Sequence, residues 1–282
     1  MRNRLKARLL SARDREAAMA FLGRDSLCNL HLLDLASRLG RPAAPTEMEP
    51  QLVGAFEGRR LAGVLSLRPS LVLDSWVEEA MLDAWTPFLE VVPTGLMKSG
   101  WDGVTSLWER MALRGRNCLL DRGETAYVLT TERIVNPELP SGAKVRTAVE
   151  ADLGELVDAA RASLREEGRP DPFEIDPPGF RRWVSGRLPR ARVVEMDGQV
   201  LFAGYADVRR PEGWLVQGVY TFPHARRRGF AAAGMAAICH EAFAAGADHV
   251  QLAVVNGNLE AERLYERLGF EPFARLRTVL FQ

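Results

Sequence analysis

The chain has 282 residues, 47% hydrophobic and 26% charged; this is an ordinary globular balance, and the length favours two domains. Its 37 basic residues equal its 37 acidic ones, so the charge points neither to nucleic acid nor to a membrane surface as a partner. No apolar run is long enough to cross a bilayer, no signal peptide opens the sequence, and three scattered cysteines argue against disulfides or a cysteine zinc site. We therefore expect a cytoplasmic protein and, since its four histidines lack metal-ligand spacing, no metal.

The first half of the sequence alternates strand and helix signals. The pattern predicts a strand at residues 7–10, a helix at 13–22, a leucine-rich core helix at 27–39 and strands at 52–56 and 61–67. The Glu57-Gly58 pair between the last two strands favours a tight hairpin turn. A helical run then covers residues 74–89.

The second half repeats this order after a connector. Residues 137–143 carry two prolines and a glycine, which predicts a linker between domains at 1–136 and 144–282. A strand at 144–147, a helix at 150–165 and a hairpin of 192–196 with 200–208 follow. The tetrapeptides Leu107-Trp108-Glu109-Arg110 and Leu264-Tyr265-Glu266-Arg267 also correspond. These echoes favour two halves related by a diverged duplication.

One segment of the second half, residues 216–235, has no counterpart in the first. A β-branched and aromatic strand ends at Pro223, a turn with three arginines follows, and a small-residue helix begins after Gly229. Free amides and the dipole at a helix start favour a phosphate, and glycine lets the backbone approach it. Taken alone, the pattern also fits a tight turn with solvated arginines.

Two motifs in this half resemble those of the GCN5-related N-acetyltransferase (GNAT) superfamily. Pro223-x-x-Arg226-x-x-Gly229-x-Ala231 is similar to its pyrophosphate-binding motif. Asn258-x-x-Ala261-x-x-Leu264-Tyr265-Glu266-Arg267-Leu268-Gly269-Phe270 is similar to its final helix. The whole chain resembles a two-domain variety with a degenerate N-terminal acetyltransferase-like domain, whose start is similar to Phe21-Leu22-x-x-Asp25-x-x-x-Asn29-Leu30.

The resemblance implies an α/β fold of tandem GNAT-like domains. Each would have a mostly antiparallel mixed sheet, splayed between its fourth and fifth strands and flanked by helices. In the second half these two strands would be residues 214–221 and 249–254. The resemblance also implies an enzyme, an N-acetyltransferase that moves acetyl from acetyl-CoA, its acyl-donor substrate, to a primary amine of a small molecule or protein by direct attack. The acceptor, the acyl-chain length and the oligomeric state stay open.

The site residues of the family carry over position by position. Tyr265 matches the tyrosine that protonates the departing thiolate, and a phenol can donate a proton at neutral pH. Asn258 would hydrogen-bond the pantetheine end of the coenzyme, cap the last helix, or do both. The backbone of Val219, Tyr220 and Thr221 would pair with the pantetheine arm, and Arg226 stands at the Gln/Arg position of the motif. The pyrophosphate would be held by the amides of Arg227, Arg228, Gly229, Phe230, Ala231 and Ala232.

The sequence departs from the family at the two usual carboxylate positions, which here are Leu215 and Ala253. Deprotonation of the amine would then use a water relay, a carboxylate such as Glu174 or Asp207, or no dedicated base. Residues 168–178, with three acids, would lie where the family places acceptor recognition. The first half lacks the pyrophosphate motif and has Trp108 in the place of the tyrosine, so it would be a scaffold or a substrate-side wall.

Two other functions compete with the enzyme. A non-catalytic acyl-CoA-binding sensor is favoured by the missing carboxylates and opposed by the retained Tyr265. A tandem-domain ligase that takes an aminoacyl group from charged tRNA is the third hypothesis. The intact pyrophosphate motif and the zero net charge count against that ligase.

Overall fold

The computed structural model describes residues 5–282, which form two compact units. Unit 1 contains the described residues up to Ala126, together with Val255–Gly257 and Phe273–Gln282. Unit 2 contains Tyr127–Val254 and Asn258–Pro272. The chain therefore passes between the units more than once, and the domain bounds of 1–136 and 144–282 remain a prediction.

Unit 1 combines short antiparallel strands with four helices. Its helices are α1 (Arg15–Leu22), α2 (Ser26–Ser37), α3 (Glu79–Leu89) and α4 (Trp101–Ala112). Its strands are β1 (Lys6–Leu9), β2 (Gln51–Glu57), β3 (Arg60–Arg68), β4 (Val72–Leu73), β5 (Gly95–Gly100) and most of β6 (Cys118–Leu129) and β12 (Glu271–Phe281). The predicted hairpin is present as β2 and β3, with Gly58 in the left-handed conformation that such a turn requires.

Strands β1 to β4 of unit 1 pair in chain order, all antiparallel. Beyond β4, a single parallel bridge joins Leu71 to Met97 of β5. The C-terminal strand β12 then pairs antiparallel with β5, with Leu276 opposite Gly100 and Phe281 opposite Gly95. Trp85, Val279 and Phe281 are fully buried in the core of this unit, so the last residues of the chain help to fill it.

Unit 2 contains the segment with the family motifs. Its helices are α5 (Leu153–Glu166), α6 (Pro177–Ser185), α7 (Phe230–Ala244) and α8 (Leu259–Arg267). Its remaining strands are β7 (Lys144–Thr147), β8 (Ala191–Met196), β9 (Gln199–Arg210), β10 (Gly213–Thr221) and β11 (Val250–Val255), in spatial order β7-β8-β9-β10-β11. All neighbours in this order are antiparallel except β10 and β11, which are parallel.

Strands β10 and β11 pair over two residues only. Trp214 lies opposite Val250 and Leu215 opposite Gln251, and β10 then continues to Thr221 without a β11 partner. This is the splay that the resemblance implied between the fourth and fifth strands. The α/β class with mostly antiparallel strands and flanking helices is thereby confirmed for both units.

Helix α7 packs closely on the sheet because its residues are small. A Cβ built at Gly234 would lie 2.4 Å from the Phe202 ring of β9, so only glycine fits there. Phe202, Phe230 and Met235 are buried together in the core beneath α7. This packing fixes where the helix begins and therefore where its first amides point.

Metal-binding clusters and membrane-spanning helices are both absent from residues 5–282. Within residues 5–282, no group of three or more His, Cys, Asp and Glu side chains is placed to hold a metal ion. No helix in the same range is long and apolar enough to cross a bilayer. Cys28, Cys118 and Cys239 are free thiols.

Candidate acyl-CoA site

The end of β10 is irregular. Its register with β9 shifts between Gln217 and Tyr220, and Gly218 has φ of +59°. Such a bulge turns backbone groups away from the ladder. Tyr220 and Thr221 pair with β9 on one side only, so the backbone from Val219 to Thr221 borders the gap left by the splay, as the prediction for the pantetheine arm requires.

The turn between β10 and α7 has two left-handed residues. A 3₁₀ turn covers Pro223–Ala225, and Arg227 and Gly229 follow with φ of +61° and +87°. A non-glycine residue in this region costs about 1–2 kcal/mol, so the conformation of Arg227 has to be maintained by its surroundings. Alternation of left-handed residues with their neighbours gathers successive amides into a concave nest for an anion.

Helix α7 begins at Phe230, and its first amides have no protein acceptor among residues 5–282. Its N-cap is Gly229, which has no side chain to accept from them, and the first helical bond runs from Ala233 to the Gly229 carbonyl. The amides of Phe230, Ala231 and Ala232 therefore lack an intrahelical acceptor. The positive end of the helix dipole adds to them, and the result is a site that suits pyrophosphate.

The three arginines of the turn differ in what they contact. Arg227 and Arg228 are exposed, and the Arg228 guanidinium lies 5.1 Å from the centre of the Phe230 ring. The side chain of Arg226 is engaged within the protein. Its Nε donates to the Thr221 carbonyl at 3.0 Å, and its Nη2 contacts both carboxylate oxygens of Glu166 at 2.7 and 2.8 Å.

Glu166 also accepts a hydrogen bond from Tyr220, whose hydroxyl lies 2.9 Å from its Oε1. Burial, and then this hydrogen bond, raise the pKa of the Tyr220 phenol. Glu166 is the last residue of α5, so it joins that helix to the end of β10 and to the turn. The motifs gave no sign of Glu166, because its partners lie 54 and 60 residues later in the chain.

Asn258 caps helix α8. Its side-chain oxygen accepts from the Ala261 amide at 3.2 Å, so the interpretation of Asn258 as an N-cap is confirmed. The side chain is exposed, and its Nδ2 group remains available as a donor. Its role toward a coenzyme remains a prediction.

Tyr265 lies in the last turn of α8 and is buried, with 5% of its surface exposed. Its ring packs edge-on against Phe270 at 5.6 Å between ring centres. Burial raises the pKa of the phenol, and Cys239 adds to the shift. The hydroxyl therefore stays protonated at neutral pH, and it makes no hydrogen bond to another residue between 5 and 282.

The carboxylates considered as a base are mostly bound to arginines or to backbone amides. Asp207 forms a two-pronged ion pair with Arg187, with Nε–Oδ1 at 3.0 Å and Nη2–Oδ2 at 2.5 Å. In the acidic loop, Asp171 pairs with Arg161 at 2.8 Å, and Asp176 caps α6 through the Gly179 amide. The side chain of the third loop acid, Glu174, is exposed.

Arg187 brings Asp207 against the β10 bulge. Its guanidinium stacks 3.9 Å above the Tyr205 ring, and a Cβ built at Gly218 would lie 3.4 Å from Arg187 Nη2 and 3.0 Å from the Tyr205 ring. The Tyr205 hydroxyl is buried without a partner among the described residues, and burial raises its pKa to about 12. The glycine in the strand was the one sequence signal for this close approach.

Comparison with known families now bears on this arrangement. The sequence profile of the acetyltransferase (GNAT) family matches residues 154–270, which include α5, the β10–α7 turn and α8. The chain contains a GNAT domain. The recognition of the GNAT superfamily from the two motifs is therefore confirmed. No curated protein matches the chain.

Solved structures share the fold of the whole chain. A Drosophila protein aligns with a TM-score of 0.74 and 17% identity over 99% of this chain and 98% of its own. A GCN5-related N-acetyltransferase from Sphaerobacter thermophilus aligns with a TM-score of 0.61 and 17% identity, over 99% of this chain and 96% of its own. A tandem GNAT protein from the clavulanic acid biosynthesis pathway aligns with a TM-score of 0.58 and 16% identity, over 98% of both chains. At these identities the likeness shows the fold, and the tandem arrangement predicted from the sequence is part of it.

The structure thus brings together most of the predicted residues of the GNAT site. The backbone at the end of β10, the turn and the first amides of α7 are continuous, and they carry all the predicted coenzyme contacts except Asn258. Their role in binding remains a prediction. The residues that sequence reasoning missed are Glu166 and Arg187, both of which act through ion pairs with partners distant in the sequence.

Proposed function

We propose that the chain is an acyl-CoA N-acyltransferase that transfers acetyl from acetyl-CoA to a primary amine. The observation that carries the proposal is the splay of β10 from β11 beside a nest of free amides at the start of α7. The first feature leaves strand-like backbone for the amide groups of a pantetheine arm. The second accepts the pyrophosphate, so the two together fit a coenzyme A thioester.

The reaction needs three events at the thioester. The amine nitrogen attacks the carbonyl carbon, the new N–C bond replaces the C–S bond, and one proton leaves the nitrogen while one reaches the sulfur. Tyr265 donates the hydrogen bond or proton to the sulfur, because its phenol remains protonated well above neutral pH. A backbone amide at the β10 bulge stabilises the carbonyl oxygen as charge develops on it.

Proton removal from the amine has no dedicated strand carboxylate. Leu215 and Ala253 cannot accept a proton, and Asp207 is held by Arg187 on both oxygens. We infer that the acceptor loses its proton to water or to the exposed Glu174, and that the rate therefore rises with pH through the pKa of the acceptor amine.

The test is release of free thiol from acetyl-CoA over a panel of primary amines. Tyr265→Phe should lower kcat by about 10²-fold or more, with stability little changed because the hydroxyl bonds to no other described residue. Tyr127→Phe is the matched control, since Tyr127 is buried in the same core and lies outside the predicted site. Unaltered turnover in Tyr265→Phe would overturn the role of this phenol.

A non-catalytic acyl-CoA sensor is the second candidate, and the residues at 215 and 253 favour it. A sensor would bind acetyl-CoA and release no thiol with any amine, whereas an enzyme would show turnover with at least one. The same amine panel, run beside a direct binding titration, therefore separates the two functions.

A further inference from the structure

The carboxylate of Glu166 links α5 to two residues of the predicted coenzyme site. It accepts from the Tyr220 hydroxyl at 2.9 Å and from Arg226 Nη2 at 2.7 and 2.8 Å. We propose that Glu166 is a positioning residue that holds the β10–α7 turn in the shape that binds pyrophosphate, a role that rests on the proposed function.

The bonds of Arg226 explain how Glu166 would act on the turn. Arg226 lies within the turn, where its Nε donates to the Thr221 carbonyl at the end of β10 and its Nη2 meets Glu166 at the end of α5. The next residue, Arg227, has the left-handed φ of +61° that a side chain rarely adopts. Holding the Arg226 side chain between the end of β10 and the end of α5 keeps this unfavourable conformation of Arg227, and with it the orientation of the following amides.

Glu166 could also weaken coenzyme binding through its charge, and its removal would then change the affinity in the opposite direction. A carboxylate near an anion site repels the anion, and Glu166 occupies a guanidinium that would otherwise be free for phosphate. If charge dominated, removing Glu166 would tighten coenzyme binding. If positioning dominates, removal weakens binding, and an uncharged side chain that keeps the acceptor oxygen largely restores it.

The expected effect is modest, because the ion pair is partly exposed. The side chains of Arg226 and Glu166 are 36% and 48% accessible, and solvent weakens pairs of this kind. Because Arg226 contacts both carboxylate oxygens and Tyr220 adds a hydrogen bond, we expect this pair to contribute about 1 kcal/mol, the upper end of the range for exposed ion pairs. We expect Glu166→Ala to raise the Kd for acetyl-CoA about fivefold.

The experiment measures acetyl-CoA binding by calorimetry and amide hydrogen exchange of residues 226–232 without coenzyme. Glu166→Ala should weaken binding about fivefold and speed exchange in the turn. Glu166→Gln keeps an oxygen for Tyr220 and Arg226, so its Kd should stay within about twofold of wild type. Asp158→Ala removes an exposed acid from the same helix and should change neither measurement.

Three results would overturn the proposal: tighter binding in both variants of Glu166, binding unchanged in Glu166→Ala, or unchanged exchange in the turn. If the wild-type protein binds no coenzyme, the proposed function fails, and exchange in the turn alone decides whether Glu166 positions it. Faster exchange in Glu166→Ala than in Asp158→Ala then supports positioning, and equal exchange contradicts it.

Discussion

Backbone conformation at single residues determines whether the coenzyme turn can form. Gly229, the N-cap of α7, has φ of +87°, and among residues 5–282 a Cβ there would meet only Pro140, at 3.5 Å. Space is therefore sufficient for a methyl group, and the cost of a larger residue comes from the backbone. A substitution at Gly229 therefore tests the backbone conformation of the turn without introducing a steric clash.

Gly229→Ala should destabilise the left-handed conformation by about 1 kcal/mol and weaken acetyl-CoA binding, because the amide nest opens. Gly246→Ala is the matched control. It lies two residues beyond the other end of α7 with φ of +83°, and no atom of residues 5–282 outside its chain neighbours lies within 4 Å of the added Cβ, so it carries similar strain away from the site. Calorimetric titration of both variants checks the prediction, and equal loss of affinity in the two would contradict it.

At the scale of elements, helix α8 combines a structural cap with a predicted contact to the coenzyme. The Asn258 oxygen caps the helix, and its Nδ2 donor is the group that would reach the pantetheine end. Substitutions that keep one function and remove the other distinguish the two.

Asn258→Asp keeps an oxygen for the Ala261 amide and places negative charge at a helix start, where the dipole favours it. Stability should therefore be retained, while acetyl-CoA affinity falls because the donor is lost. Asn258→Ala should lose both the helix cap and the predicted coenzyme contact, and the loss of the cap should lower the free energy of unfolding by about 1 kcal/mol. Thermal unfolding and binding titration of the two variants provide the comparison, and full affinity in Asn258→Asp would exclude the predicted contact.

Elements with local signals were predicted well. The strand at Lys144–Thr147 and the hairpin of β8 and β9 follow from alternation and a tight turn, and the start of α7 follows from Gly229. The helix predicted from residue 74 begins instead at Glu79, because Asp74 turns its carboxylate onto the amides of Val64 and Trp76 and leaves the chain non-helical there.

The contacts of Glu166 and Arg187 could not be predicted in the same way. Each forms an ion pair whose partner is 20 or more residues away, and a charged residue in the sequence gives no indication of which distant segment it will face. The sequence also does not show why residue 218 is a glycine. A side chain there would crowd the Tyr205 ring and the Arg187 guanidinium, and both come from distant parts of the chain.

For the whole molecule, Glu124 connects segments that are far apart in the chain. This buried carboxylate on β6 pairs with Lys98 of β5 at 2.5 Å and accepts from Thr278 of β12 at 2.7 Å. Burial opposes its ionisation, but Lys98 and Thr278 outweigh burial and lower the pKa of Glu124 to about 2. The pattern of β12 shows a strand but not its neighbour, so its place in unit 1 could not be read from the sequence.

Glu124 should therefore make stability depend on pH. Its folded pKa lies below its unfolded value, so its contribution is present above about pH 4.5 and is lost as the pH falls toward 2, amounting to about 3 kcal/mol. Glu124→Gln should be less stable than wild type at pH 7, with the difference shrinking between pH 4.5 and 2. Urea unfolding across this range tests the prediction, and a difference independent of pH would contradict it.

A crystal structure of the protein with coenzyme A shows whether the β10–α7 turn holds the coenzyme. We expect pyrophosphate oxygens within hydrogen-bonding distance of the amides from Arg227 to Ala232. We also expect the pantetheine arm to lie along Val219 to Thr221. Coenzyme bound elsewhere on the chain, or none bound at saturating concentration, would mean that this turn is not the coenzyme site.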